Sequence, residues 1–140
     1  MATDTLASSP DAPGTPKSWL WAGRAMTALF VLFMVFDTAI KLLRLQIVDD
    51  TLIALGYPVG IGFAIGVLEA ILLALYLIPR TSLLGAVLFT GLLGGAIASH
   101  VRAGSPLFSH VLFGVYLGLF AWAGLWLRDA RLRALFPIRR

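Results

Sequence analysis

Six side chains in this chain have the types and spacing to do chemistry. Asp37 and Lys41 stand four residues apart, Glu69 sits inside the apolar run Val59–Ile78, and His100, Arg102 and His110 follow close together. An ionised carboxylate near the middle of a membrane is costly, so a chain that keeps one uses it or pairs it. Carboxylates, histidines and a guanidinium offer proton exchange and hydrogen bonding to the oxygens of a small molecule. A quinone ring held between apolar walls is one ligand of that kind. A carboxylate with two histidines also suits iron or zinc. Helical phase turns His100 and His110 different ways, however, so neither a metal nor a haem is expected.

Each residue has a plainer reading too. Asp37 and Lys41 pair across one helical turn. Lys41 and Arg102 reach toward headgroups while burying their aliphatic stems. His100 lies at an interface. Glu69 is a neutral carboxyl hydrogen-bonded to a neighbouring helix.

The elements that carry these residues belong to a membrane. Of the 140 residues, 59% are hydrophobic and 13% charged, against about 25% charged in a typical soluble domain. The absence of cysteine excludes disulfides and thiol chemistry, and the absence of asparagine excludes N-glycosylation. The net charge is +4, with Arg128, Arg131, Arg133, Arg139 and Arg140 after the last apolar run. In so apolar a chain these arginines suit anionic lipid and topology, and no nucleic-acid partner is expected.

Residues 1–18, rich in Pro, Ser, Thr and Ala, read as a disordered tail. Four spans are expected in the membrane domain, residues 19–137: Trp19–Leu43, Val59–Ile78, Ser82–Ser99 and Pro106–Leu127. Each is long enough as a helix to cross a hydrocarbon core about 30 Å thick. Residues 138–140 form a basic end. The segment Val48–Pro58 is too short to span. It reads as an interfacial helix capped by Asp49 or Asp50 and ended by Gly56. The short links after the second and third spans make neighbouring helices antiparallel, so the expected fold is all-α, a transmembrane up-down four-helix bundle.

Phase orients the polar groups. Gly62, Gly66, Glu69 and Tyr76 share one stripe of the second span, which turns Glu69 toward a close-packed neighbour. Gly91, Gly95, Ala98 and Arg102 share a stripe of the third, with His100 roughly opposite, and His110, Gly114, Gly118 and Ala121 share one of the fourth. Lys17, Arg24, Arg80 and the terminal arginines fall at one end with four tryptophans, so that end and both termini are expected in the cytoplasm. Asp37, Lys41, His100, Arg102 and His110 then ring a pocket facing outward, with Glu69 at its floor.

Several stretches in order resemble the DoxX-like membrane proteins, more closely their short bacterial four-helix members. They are FDTAIKLL, LGYP, the run Leu68–Arg102, SPLFSH and LRDARLRALFP. The resemblance implies a four-helix bundle in the bacterial inner membrane. It also implies a functional range from subunits of quinone-linked oxidoreductases to factors that assist membrane protein assembly, and it brings no catalytic motif. Two readings follow. One is an intramembrane binding protein for a small molecule, quinone included, in an oxidoreductase system. The other is an accessory or assembly subunit packed through its glycine-rich faces against a second copy or a partner membrane protein. A transporter is a third, weaker reading, since no broken-helix repeat is visible.

Overall fold

The computed structural model describes residues 14–136. The expected tail and basic end therefore lie mostly or wholly outside the described residues. Six α-helices follow in order: α1 (Lys17–Leu42), α2 (Gln46–Ala54), α3 (Ile61–Leu77), α4 (Ser82–Arg102), α5 (Phe113–Arg128) and α6 (Ala130–Leu135). A π-helical turn, Leu107–Val111, leads into α5. No strand occurs among the described residues.

Among the described residues, three segments are long and apolar enough to cross a membrane: Lys17–Leu42, Ser82–Arg102 and Leu107–Arg128. The second expected span is shorter, the 17 residues Ile61–Leu77. At about 1.5 Å per residue that is about 25 Å. Its limits have local causes. Gly60 precedes it in the left-handed region (φ 85°), and Ile78 leaves it extended (ψ 120°) ahead of Pro79. Among the long helices, α1 packs on α3 and α5, and α4 packs on the same two.

These contacts are tightest where glycines face a neighbour. A Cβ on Gly66 would lie 2.8 Å from the Lys41 Cβ, and one on Gly23 would lie 2.9 Å from the Leu127 Cβ. The α1–α5 crossing at Gly23 was not anticipated by phase. Gly91 and Gly95 of α4 behave differently from expectation, whereas at Gly85 a Cβ would lie 2.5 Å from the Tyr76 amide nitrogen. Gly91, Gly94 and Gly95 meet nothing within 4 Å, and the buried face of α4 is Gly85, Ala86, Phe89, Leu93 and Ser99. The stripe assigned to packing is thus not the packed one. On this helix Phe89 and Leu93 fill the space between neighbours and make the van der Waals contacts that hold helices together in lipid.

The core is dense at one end of the molecule and hollow at the other. Phe30, Tyr76 and Phe89 are fully buried. Phe30 meets the other two rings edge to face at 5.0 and 5.1 Å, a favoured aromatic geometry. The Tyr76 hydroxyl donates to the Ala121 carbonyl at 2.8 Å, so α1, α3, α4 and α5 all meet at this cluster. It lies toward the Pro79–Thr81 turn. Toward the α2 end, glycines and charged side chains sit among the apolar ones, and the interior opens.

Two termini differ from expectation. Neither Asp49 nor Asp50 caps α2, whose N-cap is Leu45. Asp49 instead accepts from the Gly60 amide at 3.2 Å, and Asp50 accepts from the Gln46 side chain at 2.9 Å. Gly56 does end α2: with φ 85° it lets its own amide reach the Ile53 carbonyl and the Tyr57 amide reach that of Leu52. The chain after α5, within the expected membrane domain but with no helix expected there, forms α6. Asp129 caps it by accepting from the amides of Arg131 (2.8 Å) and Leu132 (3.4 Å). Arg133 donates to the carbonyls of Trp126 and Leu127, so it satisfies the end of α5.

Candidate functional site

The hollow end holds a cavity of about 590 Å³. Its wall is largely apolar, built from α1, α2, α3, α4, the π-helical turn and α5. Five of the six residues singled out from sequence line it: Asp37, Lys41, Glu69, His100 and His110.

Lys41 is the hub of the deeper polar group. One turn separates it from Asp37, and its ammonium donates to the Asp37 Oδ2. The same nitrogen donates to Glu69 Oε1 on α3 at 2.7 Å. Thr38 completes the group by donating to Glu69 Oε2 at 3.5 Å. This contact across helices exists because Gly66, one turn before Glu69, lets the α3 backbone reach the Cβ of Lys41. Glu69 is 4% exposed. A cation between two carboxylates is what makes this much charge tolerable away from water. Thr38 was not picked out from sequence; a hydroxyl one residue from Asp37 is too ordinary a signal.

The second polar group lies nearer the α2 end. The rings of His100 and His110 meet edge to face with centroids 5.5 Å apart. His100 Nδ1 lies 3.0 Å from the Ser105 hydroxyl, and His110 Nδ1 lies 2.8 Å from that of Ser109. The sequence-based expectation that the two histidines diverge is corrected. His110 does share the cavity wall with Gly114 as its phase implied. His100 reaches it because α4 turns its Leu93 and Ala96 side to the cavity, and the short link after α4 brings the two rings together. Even so, no three His, Cys, Asp or Glu side chains among the described residues converge on a common point for a metal ion.

Tyr57 also lines the cavity, with its hydroxyl 2.6 Å from that of Ser99. Neither was singled out from sequence. The pair joins residues 42 positions apart, and no local pattern announces it. Phe33 and Phe113 form part of the wall, their rings edge to face at 4.9 Å.

Arg102 is placed elsewhere. It does not line the cavity, and its guanidinium donates to the Leu55 carbonyl at the end of α2, at 2.5 Å.

Helices this apolar, three of them long enough to cross a bilayer among the described residues, define a membrane protein. The chain belongs to the DoxX-like family, whose model matches residues 25–124. The match includes the whole cavity wall. No curated protein and no solved structure matches the chain.

Proposed function

We propose that this protein binds a small, mostly apolar molecule with a hydrogen-bonding head inside the membrane. The observation that carries this reading is the joining of the Asp37–Lys41–Glu69 group and the His100–His110 pair by one cavity. Apolar walls with a few convergent polar groups are the usual make-up of a small-molecule site. The ligand's apolar body rests against Phe33, Phe113, Leu117 and the bare backbone of Gly91 and Gly95. Its head meets the histidines and the Tyr57 hydroxyl, with Glu69 and Lys41 deeper. A quinone fits this description: His110 and Glu69 would hold or exchange protons at its oxygens, and the apolar wall would hold the ring. Arg102, bonded to Leu55, positions α2 and does not touch the ligand.

The membrane setting belongs to the same proposal. The four long helices cross a bacterial inner membrane as an up-down bundle, α2 lies at the outer interface, and both termini are cytoplasmic. The arginines of α5 and α6 and Arg80 support that orientation. The cavity then faces outward.

The test exploits the glycines in the wall. Gly95 lines the cavity and a Cβ there meets nothing within 4 Å, so Gly95→Phe is expected to put its ring into that space. Titration of the detergent-purified protein with decylubiquinone should show saturable binding that weakens at least about tenfold in Gly95→Phe and in Glu69→Gln. Equal binding by native and filled proteins would overturn the reading. A stable partner protein that co-purifies equally with native, Glu69→Gln and His110→Ala chains would instead favour an accessory subunit.

A further inference from the structure

We propose that α2 is a hinged lid over the cavity, latched to α4 by Arg102 and Tyr57. The inference rests on the reading of the cavity as a binding site and adds its route of entry. Five α2-end residues, Ile47, Val48, Thr51, Leu52 and Leu55, face the cavity, so lifting α2 removes one wall. Its seat is narrow. The helix packs on α3, where Val48 and Leu52 close over Gly62.

The flanking chain is built to turn. Arg44 (φ 54°) precedes α2, and Gly56 and Gly60 (both φ 85°) follow it. Backbone in this left-handed region marks abrupt reversals rather than continuous helix. The lid therefore hangs between two reversals, each a few residues long, which are the usual positions for hinge motion.

Two bonds close the gap to α4, and both join the C-terminal end of the lid. Arg102 Nη2 donates to Leu55 O at 2.5 Å, and the Tyr57 and Ser99 hydroxyls lie 2.6 Å apart. The first sets a cation on the C-terminal carbonyls of α2, where the helix dipole is negative. A Cβ on Gly56 would lie 3.1 Å from Arg102 Nη2, so the guanidinium lies directly on the turn. The Gly60 amide to Asp49 bond ties the lid only to its own connection and leaves the latches as the restraint toward α4. His100 lines the cavity one residue from Ser99, so opening this seam leads straight to the histidine pair.

The chain has no cysteine, so a single introduced thiol reports access. Leu117 is buried and lines the cavity. In the purified full-length protein carrying Leu117→Cys, the rate of labelling by N-ethylmaleimide should rise about tenfold when Arg102→Ala is added, and similarly with Tyr57→Phe. Arg102→Lys, which keeps a donor, should fall between. A second arm locks the lid. The Val48 Cβ lies 3.9 Å from a Cβ built on Gly62, within the range of about 3.5–4.5 Å that a disulfide spans. Oxidised Val48→Cys/Gly62→Cys should slow labelling of Leu117→Cys, and reduction followed by removal of the reductant should restore it.

Unchanged labelling in both latch variants, with native helix content by circular dichroism, would overturn the lid. So would unchanged labelling in the oxidised lock. These outcomes are separate from the binding reading. Labelling that responds as expected while decylubiquinone fails to bind would sink the quinone ligand and leave the lid standing.

Discussion

At the scale of single residues, Lys41 is the balance point. Its single positive charge pairs with two carboxyl groups at once, Asp37 on its own helix and Glu69 on α3. Removing one partner of a buried ion pair leaves an uncompensated charge, at a cost of about 3–5 kcal/mol. Lys41→Met should therefore lower thermal stability in detergent by an amount in that range. Lys41→Met combined with Asp37→Asn and Glu69→Gln should recover much of it, since the neutral trio leaves no bare charge. If the triple variant is no more stable than the single one, Lys41 acts through packing of its stem rather than through charge. The pairing of Asp37 with Lys41 was legible in sequence from a spacing of four. The reach of Lys41 to Glu69 was not, because it depends on how closely α1 and α3 cross at Gly66.

At the scale of elements, the cavity end is shaped by how helices stop. α1, α2 and α4 all end the same way, with the second residue past the helix left-handed and its amide and the following one turned back onto the last carbonyls. In α4 that residue is Gly104 (φ 67°), whose absent Cβ would meet nothing. Conformation alone is then at stake, and Gly104→Ala should cost about 1–2 kcal/mol, read as a lower midpoint of thermal unfolding. In α1 the position is held by Arg44 (φ 54°), whose guanidinium lies 4.5 Å from the centre of the Phe63 ring. Helix ends like Gly56 can be read from sequence, since glycine is the residue such turns favour. Arg44 could not, and neither could the π-helical turn at Leu107–Val111, because no residue type announces either. His100 meets His110 because α4 turns its Leu93 and Ala96 side to the cavity, a choice its own phase does not fix.

At the scale of the whole molecule, one end is filled and the other is open. Phe30, Tyr76 and Phe89 fix the filled end, and Phe89→Ala should destabilise the protein by about 3–5 kcal/mol, as measured by detergent unfolding. Gly95→Phe acts at the open end and should leave stability nearly unchanged while abolishing ligand binding. A loss of stability comparable to that of Phe89→Ala would mean that the cavity is not an accommodating space. The charge pattern makes a separate prediction at this scale. A C-terminal fluorescent protein fusion should fold and emit in the cytoplasm, whereas activity of a C-terminal alkaline phosphatase fusion would reverse the proposed orientation.

Composition and hydropathy by themselves determined the helical membrane class, because an excess of apolar surface with so little charge has to face lipid and lipid permits only internally bonded backbone. Spacing alone turned Glu69 inward and paired Asp37 with Lys41, since both are consequences of a fixed 3.6-residue repeat. The tertiary structure decided the rest: that Lys41 bridges two helices, that Tyr57 finds Ser99, that Arg102 serves α2 instead of the cavity, and that Gly91 and Gly95 line a space instead of a contact. Each of these joins residues distant in sequence through crossings and helix ends whose geometry is set by side chains on both partners, and a one-dimensional pattern carries only one partner at a time.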